Sequence, residues 1–337
     1  MWEPKLSDAT IGVKQYRYDE SIGAYASHVV KGYGRLDASL DYHVGLFNYY
    51  GIFNPNALPD TRLDAPSQTL NDFSLRLDWS SLIRPSSNLA YHAMARVRHF
   101  AYRAMPLPVE WGKGNAKGNR ETNVEFAGGV RMPWDKGNSI GLDADLNMLV
   151  YGGQENIFSY AQAGGMREYS LNRPNNYGLL TLTPYYRFNK DLIEVRLGAD
   201  IDLAFNAGPE GNRYSFFHVA PDVRFALQTG QFGMYLNVLG GSNLNTLANL
   251  YQHDYYMMPA LASTRPTYTP IDATFGINLG PFSGFSIGVE GSFRSSKNVP
   301  LGGWYQAWMN YGGAPIPGIN EAADLTRYDR MLYSLDA

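Results

Sequence analysis

The chain of 337 residues contains no cysteine, which excludes a disulfide scaffold, a cysteine-based zinc site and a thiol nucleophile. The formal net charge is only −3, so no basic field indicates nucleic acid as a partner. No segment approaches the roughly 18 apolar residues of a membrane-spanning helix. Helical membrane proteins are therefore excluded. Membrane β-barrels are not, because their strands are marked by alternation rather than by long apolar runs.

Alternation of apolar and polar residues is the dominant pattern in the sequence. In 193–205, apolar residues occupy every second position and face away from Glu194, Arg196 and Asp200, as in a strand with one apolar and one charged side. The same pattern predicts eleven clear strands: 36–47, 72–80, 89–102, 124–132, 140–151, 179–188, 193–205, 216–227, 232–239, 271–279 and 285–294. Weaker candidates lie at 10–18, 22–30 and 326–335. The chain is predicted to be all-β with about 14 strands, and 12 to 16 are compatible with the pattern.

The connections between these strands alternate between short and long. Short turns such as 135–138 and 189–191 alternate with long segments such as 152–177, 240–268 and 295–325. Tight turns at one end of a sheet and long loops at the other are typical of an antiparallel transmembrane β-barrel in the Gram-negative outer membrane. Aromatic residues near the strand ends, such as Trp134, fit a membrane–water boundary, although aromatic residues are common in strands of any β protein. We expect residues 1–337 to form one barrel domain, which could be part of a longer chain.

The charged faces of the strands are predicted to line the inside of this barrel. In that arrangement the apolar faces contact lipid, and closure of the sheet removes edges that lipid cannot satisfy. The predicted lumen-lining residues are Asp37, Asp41, Arg76, Asp78, Arg96, Arg98, Asp143, Asp145, Glu194, Arg196, Asp200, Asp202, Arg224, Asp272, Glu290 and Arg294. Their mixed sign favours an ionic network that stiffens a narrow or plugged barrel over a selectivity surface, although both readings stay open. A soluble β-sandwich with its charged face in water explains the alternation equally well, but explains the loop asymmetry less well.

The sequence gives no sign of catalysis. Three histidines, His43, His92 and His218, share the predicted inner face, but no pair has the spacing of metal ligands on a strand. The pattern G-x-S-x-G occurs at 137–141 and 284–288, but each copy runs from a predicted short turn into a predicted strand, so neither marks the strand-to-helix turn of a nucleophile elbow. We therefore predict a non-enzyme with no catalytic residue, no bound metal and no cofactor, in which the histidines make hydrogen bonds.

Two long loops are unusually rich in aromatic residues. The segments 251–259 and 302–313 combine tyrosine, tryptophan, methionine and glycine, and such groups are costly to leave exposed. The predicted partner-binding residues are Tyr251, Tyr255, Tyr256, Trp304, Tyr305, Trp308 and Tyr311. The alternative is that these loops pack on themselves at the mouth of the barrel.

Three segments resemble a known group of proteins. The stretches 46–51 (LFNYYG), 241–251 (GSNLNTLANLY) and 270–282 (PIDATFGINLGPF) are similar to the porin-like outer-membrane barrels of Bacteroidota, which are often labelled TonB-dependent-receptor-like. The resemblance implies a passive channel or a subunit of a larger envelope assembly. The chain departs from a full TonB receptor because it is short for 22 strands and shows no recognisable plug domain or TonB box. Energised import by this chain alone is therefore not expected.

These observations leave two main functional hypotheses. The first is a non-enzymatic barrel subunit of a larger cell-envelope complex for barrel assembly, export or uptake, which binds other envelope proteins or lipoproteins through its extracellular loops. The second is a passive channel for small polar solutes. A barrel enzyme that uses His43, His92 and His218, and a secreted β-sandwich, are the remaining alternatives. The predicted partners are outer-membrane lipid and envelope proteins, with no nucleic acid.

Overall fold

The computed structural model describes the residues that build the sheet and part of its connections. These are residues 16–48, 67–81, 89–103, 118–153, 156–162, 165–171, 175–207, 214–253, 255, 264–300, 307–311, 314–319 and 330–334. Within them lie seventeen strands and one helix of seven residues. No helix in these ranges is both long enough and apolar enough to cross a membrane.

Thirteen strands form one antiparallel sheet in which sequence neighbours pair. In spatial order they are β1 (Arg17–Val30), β2 (Gly34–Asn48), β3 (Ser67–Ser81), β4 (Ala90–Tyr102), β5 (Arg120–Asp135), β6 (Asn138–Gly152), β9 (Tyr177–Lys190), β10 (Ile193–Ala207), β11 (Tyr214–Thr229), β12 (Phe232–Asn243), β13 (Thr267–Phe282), β14 (Phe285–Lys297) and β17 (Arg330–Ser334). Their number lies within the predicted 12 to 16. All eleven clear strands of the sequence analysis are present.

Some parts of the sequence-based assignment were wrong. The weak candidate at 22–30 lies within β1, which begins earlier, at Arg17, and most of the candidate at 10–18 lies outside the described residues. Two small hairpins were missed: β7 (Asn156–Gln162) with β8 (Gly165–Leu171), and β15 (Ala307–Tyr311) with β16 (Ala314–Ile319). Both hairpins lie within long connections, where the alternation is too short to stand out from the surrounding loop sequence.

The two ends of the sheet differ as predicted. Connections of two or three residues, such as 31–33, 136–137 and 230–231, lie at one end, which we call the turn end. The connections 49–66, 103–119, 153–176, 244–266 and 298–329 lie at the other, which we call the loop end. In outer-membrane barrels short turns face the periplasm and long loops face outside.

The register places the charged residues on one face. Directly opposed residues in an antiparallel pair share a face. Arg196 stands opposite Arg224 on one side and Arg187 on the other, and Asp202 stands opposite His218. This face is the more buried one, since Asp202 is 0% and Asp222 is 3% exposed, whereas Phe217 on the other face is 62% exposed. The burial is the reverse of that in a soluble protein. The apolar face therefore points outward.

The single helix shows that the sheet curls around an interior. Helix α1 (Leu247–His253) begins four residues after β12, yet its Tyr251 packs against Phe47 of β2 at 6.0 Å between ring centroids. In a flat sheet these two strands would lie about 38 Å apart, at ~4.8 Å per strand. The chain from Asn243 to Tyr251 reaches roughly 20 Å. The sheet must therefore bend so that β2 and β12 approach each other across the charged face.

Candidate functional site: an inner segment at the loop end of the barrel

The β12–β13 connection folds into the interior instead of away from the sheet. We call residues 244–253 the inner segment. Its helix buries Leu247, Ala248, Leu250 and Tyr251. Together with the inner wall it forms an apolar cluster at the loop end, here called the loop-end cluster. Its members are Phe47, Leu70, Phe100, Tyr102, Leu149, Tyr151, Tyr177, Leu179, Ala204, Leu247, Ala248 and Tyr251.

Tyr251 stands at the centre of the aromatic contacts in this cluster. Its ring centroid lies 5.7 Å from that of Phe100 and 6.3 Å from that of Tyr102, and the side chain is only 3% exposed. Such tilted and edge-on pairs contribute about 0.5–1.5 kcal/mol each beyond the area they bury. The inner segment is therefore fixed to β2 and β4 by packed rings.

Two polar contacts fix where the helix begins. The Thr246 hydroxyl accepts a hydrogen bond from the Asn249 amide at 3.0 Å, which is a standard N-cap contact. The Glu121 carboxylate on β5 accepts one from the Leu247 amide at 2.8 Å. Glu121 is 2% exposed, so this long-range bond lies in the interior. An acceptor at this position satisfies an amide that the helix itself leaves unpaired.

A further contact connects the inner segment to the edge strand β1. The guanidinium of Arg17 lies 3.4 Å above the ring of Tyr255, and Tyr255 packs edge-on against Tyr251 at 5.2 Å. On the far side, the Tyr177 hydroxyl donates to the Thr264 carbonyl at 3.0 Å. The connection thus contacts strands on both sides of the interior, and this arrangement can obstruct the mouth of a barrel.

Below the loop-end cluster, ion pairs cover the middle of the inner wall. Arg196 bonds Asp222 at 2.5 Å and Asp143 at 3.2 Å, and its guanidinium stacks on the Tyr185 ring at 3.7 Å. Arg98 binds Asp72 through two nitrogens at 2.9 and 2.6 Å, and Arg96 pairs with Glu125. These pairs link neighbouring strands, or β10 with β6 across β9, and they neutralise much of the wall charge.

The turn end of the inner wall is more open. Arg35 pairs with Asp37 at 2.8 Å and Arg76 with Asp78 at 2.7 Å, but the arginine side chains are about half exposed. Arg187 with Glu194 at 2.7 Å lies in similar surroundings. Arg294 with Asp272 at 2.7 Å is also exposed, but it lies in the loop-end half of β13 and β14. Water can reach this part of the wall.

All sixteen residues predicted to line the lumen have side chains on the inner face of the sheet. Most have a partner there, including Asp145 with Asn147, Asp200 with Thr183, Asp202 with Thr181, Arg224 with Asp222 and Glu290 with Tyr235. Asp41 is exposed on β2. Whether they line a transport path stays a prediction. The sequence analysis missed Glu121, because the alternation of β5 was read only from residue 124 onward.

The predicted partner-binding residues divide into two groups. Tyr251 is buried in the loop-end cluster, so the self-packed alternative applies to it, and Tyr255 packs beside it. Tyr256, Trp304 and Tyr305 lie outside the described residues. Trp308 and Tyr311 belong to β15, which is described only as backbone.

The histidines lie apart from one another. His43 contacts Asp19 at 3.3 Å, and His218 stacks between Phe216 and Tyr268, at 4.4 and 3.8 Å between ring centroids. In the described part of the chain, no three His, Cys, Asp or Glu residues are grouped so that they could hold a metal ion.

The fold of this chain is similar to that of solved outer-membrane proteins. No family model and no curated protein matches the chain. Among solved structures it is similar to the FrpB iron transporter from Neisseria meningitidis, with a TM-score of 0.57 and 11% identity over 90% of this chain and 47% of that one. It is also similar to FpvA of P. aeruginosa in complex with a heterologous pyoverdine and iron, with a TM-score of 0.52 and 9% identity over 87% of this chain and 43% of that one.

The fold is that of an outer-membrane β-barrel. The likeness is one of fold, since neither neighbour shares more than 11% identity with this chain. The Gram-negative outer membrane is also where an outward apolar face would meet lipid. The chain spans less than half of the length of either transporter.

Proposed function

We propose that this chain is a non-enzymatic barrel component of a gated transport assembly in the outer membrane, of the porin-like kind that its sequence resembles in Bacteroidota. The observation that carries the proposal is the inner segment, which closes on the inner wall at the loop end. A freely open channel does not need a buried aromatic contact between a loop helix and the far strands. A gate does, because its closed state must be favoured by specific contacts.

The edge of the sheet supports a role within a larger assembly. Strand β1 pairs with β2 on one side, and within the described residues no strand pairs along its other side. Its residues are exposed on both faces except at the last position. An unpaired strand edge is not tolerated in the hydrocarbon layer, because its amide and carbonyl groups would lack partners. Additional strands or a partner protein would satisfy that edge.

Conductance in planar lipid bilayers tests the gate. We expect the wild-type protein to be silent or to conduct only in brief openings. Tyr251→Ala should produce large and frequent openings, because it removes the ring that holds the inner segment on β2 and β4. Gln252→Ala is the matched control, since Gln252 lies in the same helix but is exposed. Steady open currents from the wild type would contradict the proposal.

Purification from native membranes in mild detergent tests the role as a subunit. We expect the tagged chain to elute with other envelope proteins, in a complex larger than its own 37.6 kDa. Recovery only as a single chain, under detergent conditions that preserve a known envelope complex in the same sample, would contradict this part of the proposal.

A passive channel for small polar solutes is the second candidate. The exposed ion pairs at the turn end, such as Arg76 with Asp78, would suit a water-filled passage. If the wild type conducts steadily and Tyr251→Ala leaves the conductance unchanged, this second function replaces the first.

A further inference from the structure

Two neighbouring acidic residues of β10 share one face and have threonine hydroxyls as partners instead of cationic side chains. Thr181 donates to Asp202 Oδ1 at 2.7 Å, and Thr183 donates to Asp200 Oδ1 at 2.5 Å. Asp202 is 0% exposed, and its second oxygen, Oδ2, is buried without a hydrogen-bond partner in the described part of the chain. An oxygen of this kind is a strong acceptor with its lone pairs unused.

Asp222 on the neighbouring strand β11 provides the contrast. It is nearly as buried, but Arg196 and Arg224 contact its two oxygens at 2.5 and 3.2 Å. Neither Asp200 nor Asp202 forms an ion pair with any described residue. Removing a carboxylate from water costs several kcal/mol unless a positive charge or several hydrogen bonds compensate. Among the described residues, the pair on β10 has no positive charge in direct contact with it.

The unused oxygens of both residues point to one small space beside Gly241 on β12. A Cβ at Gly241 would stand 3.2 Å from Asp200 Oδ2 and 3.8 Å from Asp202 Oδ2. Gly241 has a φ of +116°, which side-chain-bearing residues rarely adopt, and the β12–β13 register shifts there. The following residue, Ser242, carries a buried hydroxyl oxygen without a described partner. The space stays free because the residue is glycine.

We propose that Asp200 and Asp202 bind a calcium ion in this space. The oxygens in or beside this space belong to carboxylate and hydroxyl groups, with no sulfur, and calcium prefers such oxygen donors. Two carboxylates are fewer than high-affinity calcium sites use, so water completes the shell. We therefore expect an affinity at the weak end of known sites, about 10⁻⁴–10⁻³ M.

The site would connect the wall to the inner segment. Gly241 lies two residues before the end of β12, and the inner segment follows directly. An ion held between β10 and this point fixes the start of the connection against the wall. Binding would therefore stabilise the folded barrel by mass action.

The test uses the purified full chain in detergent, titrated with calcium and separately with terbium, which replaces calcium and emits when a nearby tyrosine is excited. Tyr268 is well placed for this, because it stacks on His218, which stands opposite Asp202. We expect saturable terbium emission that calcium displaces, and a calcium-dependent rise in the melting temperature. Asp202→Asn should weaken binding at least tenfold. Asp41→Asn, an exposed inner-wall acid on β2, should leave it unchanged.

Each outcome decides the proposal. No terbium emission and no calcium-dependent shift at millimolar calcium in the wild type overturn it, as does equal binding by Asp202→Asn. If Asp202→Asn does not fold, Gly241→Ala tests the same space with a methyl group and should abolish the calcium response. A wild type without a calcium response, together with a more stable Asp202→Asn, would mean that the two carboxylates share a proton instead of an ion.

Discussion

The inner wall at the loop end differs from the inner wall at the turn end. At the loop end, Phe47, Leu70 and Phe100 are almost completely buried beneath the inner segment. At the turn end, on the same strands, the side chains of Arg35 and Arg76 are about half exposed. The strands are continuous, so the difference does not come from the sheet itself. It arises because one connection returns to cover one end of the wall.

Similar contacts contribute differently to the free energy of unfolding at the two ends, because the two ends differ in their access to water. At the loop end a lost contact leaves a cavity or an unpaired polar group. At the turn end water can replace what a mutation removes. Substitutions should therefore become less costly from the loop end toward the turn end.

The largest effect is expected for Tyr251→Ala. Removal of a buried aromatic ring from a core costs about 3–5 kcal/mol. The free energy of unfolding in detergent, measured by urea titration and intrinsic fluorescence, should fall by this amount, whereas Gln252→Ala changes it little. Equal stability of the two variants would mean that the inner segment is not packed on the wall.

A smaller effect is expected for Arg196→Met in the middle layer. This change leaves Asp222 with Arg224 alone, and breaking a buried ion pair typically costs about 3–5 kcal/mol, reduced here by the remaining arginine. We expect a loss of about 3 kcal/mol in the same titration. The double variant Arg196→Met with Asp222→Leu should recover part of the loss, because it removes the buried carboxylate that is otherwise left with only the half-exposed Arg224. A double variant less stable than the single one would contradict this account.

Leu197→Arg on β10, with a control on β13, compares the outward face of the sheet with its inner face. Leu197 is 49% exposed on the outward face. An arginine facing lipid costs about 2–4 kcal/mol at mid-depth and less toward the boundary, so we expect about 2 kcal/mol. Asn278→Arg, on the exposed inner face of β13, is the control and should be tolerated. Folding yield into lipid vesicles measures both, and equal yields would argue against lipid contact at Leu197.

The smallest effect is expected for Arg76→Ala at the turn end. An exposed ion pair contributes about 0–1 kcal/mol, so the unfolding midpoint should hardly move. A loss as large as that of Arg196→Met would remove the difference between the two ends.

The sequence predicted which residues form the inner wall, but it did not predict where the inner segment packs on that wall. Alternation is local, so residues such as Leu197 and Asp200 could be assigned to faces one strand at a time. The docking of the inner segment depends on contacts such as Leu247 with Glu121 and Tyr251 with Phe100, whose residues are far apart in the chain. The spacing of Leu244, Leu247 and Leu250 is compatible with a short helix, but it does not identify the strands that the helix meets. Tyr251 was therefore assigned to partner binding as readily as to self-packing.

The same limit applies to the acidic pair on β10. The sequence placed Asp200 and Asp202 on the inner face, but the approach of Gly241 depends on a register shift two strands away. No local pattern reports such a shift. The ion pair of Arg196 with Asp222 could not be predicted either, because it depends on the register between β10 and β11.

Accessibility of spin labels along β10 tests the central claim most directly. The chain has no cysteine, so single cysteines at positions 195 to 201 can each carry a nitroxide without background labelling. In lipid vesicles we predict that collisions with oxygen, which is enriched in the hydrocarbon layer, alternate along the strand, with maxima at Val195, Leu197, Ala199 and Ile201. Maxima at Arg196 and Asp200, or a flat profile, would contradict an outward apolar face and an inward charged wall.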